Sequence, residues 1–385
     1  MAEKVLSPEQ LRNATSNYLH CLNLFPSSQV LIISDNPKNI LSDDNMLTRA
    51  YISNLLCRQI KEQNHRVATI NFDNSLSHEE FRNQTLQALK ELEETGSEGE
   101  VNRTTTIVYI GKSWDERFGI YDAADEFGTG KPPGTVRFAG SPGLTTGDCR
   151  VLSELNDAKM AKIMEANESY IKFFEKNPQG SFDIITRTSA SQELHLHLSY
   201  DTKQSSFKSS VGKFDQRFVD PSEKHSYFNV PSGEIYTIPY PFSEINGEFS
   251  AQGLIFHVVN GLLNDVSIPE NYPLEKLNSS QRSLINLIKG DPPKQIPMSE
   301  LGIGFYQMIG IDVYDDASIM TLEKKGPHAG FGHTAGPGME KKTIDKLADD
   351  AGFSSHADFV MDNTAIMWMK TENGPQIPFY PLPEK

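Results

Sequence analysis

At 385 residues the chain exceeds what one hydrophobic core usually organises, so two domains are expected. A formal net charge of −15 at pH 7 argues against nucleic acid and against anionic membrane surfaces as partners, and no apolar run approaches the length of a membrane span. Cys21, Cys57 and Cys149 are few, odd in number and widely spaced, and the N-terminus lacks a basic region followed by an apolar core; both fit reduced thiols in a cytoplasmic protein.

In chain order, residues 7–24 form an amphipathic helix pattern through Leu11, Tyr18 and Leu22. Residues 29–35 read as a short buried strand, and residues 44–63 as a helix carrying Leu47, Tyr51, Leu55 and Ile60. A strand at about 66–72, a helix at about 77–95 and a strand at 106–111 follow, with the polar stretch Gly96 to Asn102 as an exposed loop. Strands alternating with helices of this length predict a Rossmann-like parallel sheet. The loop after the first strand lacks the glycine spacing of a dinucleotide site. Gly128 to Gly134 has no Ser or Thr after its lysine, so nucleotide binding is not expected. A long helix is expected over about 151–176, stopped by the turn Asn177-Pro-Gln-Gly180. The domain boundary is set there: an N-terminal α/β domain over 1–180 and a C-terminal domain over 181–385.

Beyond it the pattern changes. Glu193 to Tyr200 alternates strictly, with Leu194, Leu196 and Leu198 on one face. An Asn260-Gly261 turn joins two strands into a hairpin, and Leu274 to Ile288 reads as a helix. The second domain is therefore expected to be α+β with a mainly antiparallel sheet.

Several residues in this half have chemistry to offer. His195 and His197 share one strand face, which on an alternating strand is ordinarily the wet one. Glu234 follows a bend at Pro231 and Gly233 and stands at a strand entrance, where a carboxylate is held rigidly, although a turn with an exposed glutamate has the same sequence. Glu300 lies among small residues that permit close packing. His328 and His333 lie in a glycine-rich stretch, Gly326 to Gly338, whose composition suits close backbone approach or a solvent loop. His356 and Asp358 are two apart, so on a strand both point to one face and toward one metal ion.

Taken in order, these fragments resemble the thermophilic-type metalloaminopeptidase family, the leucyl aminopeptidases of the aminopeptidase T and aminopeptidase S kind. Pro231-Ser-Gly-Glu-Ile-Tyr resembles the family's Pro-x-Gly-Glu-Val-Phe motif, and Glu300-Leu-Gly-Ile-Gly its Glu-Leu/Phe-x-Ile-Gly. His328-Ala-Gly-Phe-Gly is similar to its His-Ile-Gly/Ala-x-Gly, and Ser354 to Asp358 matches Ser-x-x-His-x-Asp loosely, the serine lying one position nearer the histidine. The four motifs span about 125 residues.

The resemblance implies an N-terminal α/β domain and a C-terminal metal-binding domain. It implies that Glu234, Glu300, His328, His356 and Asp358 are ligands of two divalent ions, Zn, Co or Mn, with His333 the alternative to His328 and Glu300 the carboxylate that manages protons or bridges the ions. The implied activity is hydrolysis of the N-terminal residue of peptides, or of a related amide, by a metal-activated water. The implied partners are a peptide or small-molecule substrate and a second copy of the chain in a homodimer. The family's histidine is followed seven positions later by a metal-binding tyrosine; here that position is Ala335 counted from His328, or Glu340 counted from His333. Dihydroxypyridine ring-cleaving dioxygenases share the fold with one Fe(II), and His328, His356 and Asp358 would make such a facial triad. The missing tyrosine also leaves room for a binding protein without catalysis.

Overall fold

The structure is a computed structural model and describes residues 6–26, 28–36, 44–72, 76–94, 104–111, 115–205, 207–210, 226–334, 341–370 and 374–380. The first part alternates helix and strand: α1 (Pro8–Leu22), β1 (Gln29–Asp35), α2 (Asp44–Glu62), β2 (Arg66–Phe72), α3 (His78–Glu94), β3 (Thr105–Ile110), α4 (Asp115–Gly128) and β4 (Val136–Gly140). Two helices follow, α5 (Thr146–Glu154) and α6 (Asp157–Lys176). The rest is rich in strands: β5 (Gln179–Arg187), β6 (Glu193–Asp201), β7 (Lys208–Ser210), β8 (Ser226–Asn229), β9 (Glu234–Thr237), β10 (Asn246–Ala251), β11 (Leu254–Val259) and β12 (Leu262–Ser267). Then come α7 (Ser279–Ile288), β13 (Ile296–Gly304), α8 (Ile319–Leu322), β14 (Pro327–Gly332), α9 (Lys341–Ala351), β15 (His356–Val360), β16 (Ala365–Met369) and β17 (Ile377–Tyr380).

The chain divides into two compact units, each of three segments. One comprises Met1–Met164, Ser210–Ser232 and Ile311–Leu322, and the other Glu165–Ser209, Gly233–Gly310 and Glu323–Lys385. The sequence alone predicts one boundary at 180/181, whereas the two compact units exchange the chain several times.

The first unit holds a five-stranded sheet in the order β2-β1-β3-β4-β8, parallel throughout. β1 and β3 are buried along their whole length, as runs of β-branched residues covered on both faces should be. Leu31, Ile33, Phe72, Phe81, Ile107, Tyr109 and Phe138 belong to one core. At the end of β1, Asp35 accepts a hydrogen bond from buried Arg49 at 2.6 Å.

The second unit is built on a mainly antiparallel sheet whose main path runs β15-β14-β13-β12-β11-β10-β6-β5-β16-β17, with β9 pairing β13 and β7 pairing β9. Asn260 and Gly261 take φ of 51° and 76° and join β11 to β12, as an Asn-Gly hairpin turn requires. Phe249, Phe256 and Phe331 stack in the core beneath the sheet, with neighbouring centroids 4.9 and 5.8 Å apart. The fold is thus α/β plus α+β, as expected.

Two local expectations are corrected. The helix expected over 151–176 is two helices, because a capping box on Thr145 starts α5 early and the Asn156 side chain accepts from the Lys159 amide at 3.0 Å to start α6. The helix expected from Leu274 begins at Ser279, where Asn278 and Gln281 form a capping box. α4 and β4 were not anticipated. Gly96 to Asn102 lies outside the described residues.

Candidate metal centre

Four neighbouring strands, β9, β13, β14 and β15, line one region of the second unit's sheet. On β13, β14 and β15 the residues of one face repeat every second position: Glu300, Gly302 and Gly304; His328, Gly330 and Gly332; His356 and Asp358. The other face presents Leu301, Ile303, Ala329, Phe331, Ala357 and Phe359, all buried apolar residues. Across the strands Glu300 pairs with Gly330, which pairs with Asp358; Gly302 pairs with His328, and Gly304 with Glu234. Side chains with chemistry therefore alternate with glycines along and across the sheet.

The glycines are there for space. A Cβ on Gly302 would lie 2.0 Å from His328 Nε2, and one on Gly330 would lie 2.6 Å from His356 Cε1 and 2.8 Å from Asp358 Oδ1. Any side chain at these two positions would occupy the volume the imidazoles and carboxylates fill. Glu234 is aimed from the opposite edge of β13, where Gly233, at φ 144°, gives its carbonyl to the Phe305 amide at 3.0 Å.

All five ligands expected from the sequence meet here. Glu234, Glu300, His328 and Asp358 are buried, and His356 is partly so. His328 Nε2 lies 3.4 Å from Glu300 Oε1 and 3.6 Å from Glu234 Oε2. His356 Nε2 lies 2.9 Å from Asp358 Oδ1 and 3.7 Å from Glu300 Oε2. The two oxygens of Glu300 thus face one histidine each. Both imidazoles are held from behind: His328 Nδ1 lies 3.2 Å from the Gly326 carbonyl and His356 Nδ1 2.5 Å from the His333 carbonyl. A proton on each Nδ1 satisfies those carbonyls and leaves Nε2 inward as a lone-pair donor, the arrangement of a metal-ligating histidine. β15 is steadied by α7, whose Gln281 donates to the Asp358 carbonyl at 2.5 Å.

Two participants were missed. Glu323 and Lys324 lie in a single 3-10 turn, Glu323–Lys325, just before β14, and both are buried. Lys324 Nζ donates to Glu234 Oε1 and to Glu323 Oε1. A run of three charges ordinarily marks a solvated surface, so only its closeness to His328 could have pointed here.

His333 takes no part through its ring: Nε2 lies 2.8 Å from Asp349 on α9, and the residue contributes its backbone carbonyl instead. Ala335 and Glu340, the positions counted for a tyrosine ligand, lie outside the described residues. His195 is half exposed, with Nδ1 3.2 Å from Asp183 and Nε2 3.2 Å from Glu193, on the solvent side of its strand.

The electrostatics follow from crowding four carboxylates, a lysine and two histidines. Burial opposes the imidazolium form of His328, but Glu300, Glu234 and Glu323 outweigh it and lift its pKa to about 9. For His356 burial is outweighed by Asp358 and Glu300, and the value rises to about 10. Burial raises the Glu300 carboxyl, opposed by its hydrogen bond from His328. Burial also acts against the Asp358 carboxylate, but His356, His328 and Lys324 outweigh it and lower its pKa. Lys324 is held as ammonium by its two glutamates against the penalty of burial.

The donors fall into two groups that could each hold a metal ion: Glu234, Glu323 and His328, and Glu300, His356 and Asp358, the ligand atoms of each group lying within 4.8 Å of one another. The set suits divalent cations bound by carboxylate and imidazole. Glu234 Oε2 is buried without a hydrogen-bond partner, which is costly for a carboxylate oxygen unless a cation completes it.

No protein-family model matches the chain, and no curated protein matches its sequence. Among solved structures, wild-type AmpT from Thermus thermophilus is similar over 96% of this chain and 97% of its own, with a TM-score of 0.56 and 11% sequence identity. At that identity the likeness is one of fold.

Proposed function

We propose that the chain is a metal-dependent, aminopeptidase-like hydrolase that removes the N-terminal residue of peptides or cleaves a related amide. One observation carries the reading: Glu300 belongs to one three-residue donor group and also faces the histidine of the other, with Oε2 3.7 Å from His356 and Oε1 3.4 Å from His328. Such a carboxylate suits a centre of two ions sharing one ligand. The aminopeptidase T-like fold supports it.

Divalent ions in these groups would polarise a substrate carbonyl and make a bound water acidic near neutral pH. Glu234, Glu323 and His328 would hold one ion, and Glu300, His356 and Asp358 the other. Glu300 is the group we assign to proton handling, because it is buried with one oxygen facing each histidine of the site. The carbonyls of Gly326 and His333 keep the two histidines in one tautomer through this exchange.

The ring-cleaving alternative needs His328, His356 and Asp358 around one ion, whereas His328 falls in one donor group and the other two in the second. The test is metal analysis of protein purified without chelators, with hydrolysis measured on free and N-acetylated aminoacyl amides. About two divalent ions per chain and turnover only of the free-amine substrates support the proposal. One iron per chain with oxygen uptake on a hydroxylated aromatic ring overturns it, as does a metal-free, inactive protein.

A further inference from the structure

We propose that Lys324 is a resident cation of the Glu234–Glu323–His328 group, so that the two donor groups load unequally. The Glu300–His356–Asp358 group takes a divalent ion tightly, and the other follows only weakly. The inference rests on the metal-centre reading above.

Lys324 bonds one oxygen of Glu234 and one of Glu323, so two of that group's three ligands already answer to a positive charge. Its side chain is wholly buried. Its backbone is pinned as well: the Tyr306 amide donates to the Lys324 carbonyl at 2.9 Å, and the turn packs where Gly304 has no side chain, a Cβ there lying 2.2 Å from the Lys324 carbonyl carbon. An ion entering this group must share its carboxylates with a fixed ammonium and bear the repulsion between like charges at close range in a water-poor site.

The second group differs. Among the described residues no lysine or arginine bonds Glu300, His356 or Asp358; their partners are each other, His328, backbone groups, and Ser299 Oγ at 3.3 Å from His356 Nδ1. Its carboxylates bond imidazoles rather than an ammonium, and an imidazole can give up its inward proton and become a ligand, as a lysine held by two glutamates does not.

The test is isothermal titration of the chelator-stripped full chain with Co²⁺, alongside Lys324→Met and Glu323→Gln. For the unaltered protein we expect one tight equivalent and a second on the order of a hundredfold weaker. Lys324→Met should strengthen the second phase and leave the first in place. Glu323→Gln, which keeps the lysine, should abolish the second phase alone and serves as the independent check if the methionine variant fails to fold. Two equally tight equivalents in the unaltered chain overturn the proposal and leave the metal reading standing. So does a weak phase that Lys324→Met does not move, or loss of the tight phase in Glu323→Gln. No Co²⁺ binding by any variant overturns both.

Discussion

Gly302 stands directly opposite His328 across the β13–β14 pair, and the imidazole fills the space where a side chain on residue 302 would be. Gly302→Ala would place a methyl 2.0 Å from Nε2, and a fully buried ring has nowhere to retreat. We expect a stability loss of about 1–3 kcal/mol from overpacking, loss of the ion held by His328, and at least a hundredfold drop in kcat/KM. Metal content per folded chain, measured beside the melting curve, separates the loss of ligand from the loss of fold.

Glu300→Gln keeps size and shape while removing the charge that faces both histidines. Activity should fall by roughly two to four powers of ten, as for other groups that move protons, while secondary structure is retained. Comparing kcat with KM is the check: the loss should be carried by kcat.

Metal removal should expose a pH dependence of stability. Without an ion, His356 titrates at about 10 and His328 at about 9 in the folded chain, against an ordinary value of 6.5. Both are raised, so the stability they contribute is complete below about 6.5 and is lost as pH climbs through the folded values. Unfolding free energies measured in the presence of chelator should therefore decline as pH rises above about 6.5, through about 9 for His328 and about 10 for His356. A flat profile would contradict the geometry on which this rests, and His356→Asn should flatten part of it.

The thiols offer a check on the first unit. Cys21 and Cys149 are fully buried, and burial pushes the Cys21 thiol up to about 12 and Cys149 up as well. At pH 8 neither forms a thiolate, so a chromogenic disulfide reagent should titrate Cys57 alone in the native protein and all three cysteines in denaturant. Cys57→Ser should remove the native reaction.

Which parts could be read in advance follows from where the information lies. β1 was bounded correctly because the unbroken apolar run Val30 to Ile33 between polar flanks specifies a strand locally. The break between α5 and α6 was missed because Leu155 and Asn156 do not interrupt the apolar spacing; only the cap made by the Asn156 side chain ends one helix and starts the next. In the site, His356 and Asp358 were legible because a period of two fixes their common face. His328 and His333, five apart, were both open to reading, since the parity of a strand is known only once its ends are. Glu323 and Lys324 were hidden because nothing local says a charged run is buried; that depends on the glycine at 304, far away in the chain.

The interleaving of the two compact units bears on how the molecule is made. The parallel sheet receives its fifth strand, Ser226–Asn229, only after β5 and β6 of the other unit have been synthesised, and that unit's last donors, His356 and Asp358, lie beyond α8 of the first. Neither can be finished on the ribosome before the other is well begun. A gene cut after codon 164 would keep every segment of the second unit on one fragment, but with two segments of the first, Ser210–Ser232 and Ile311–Leu322, still threaded through it, so no single cut frees the unit that carries the donor groups from the other.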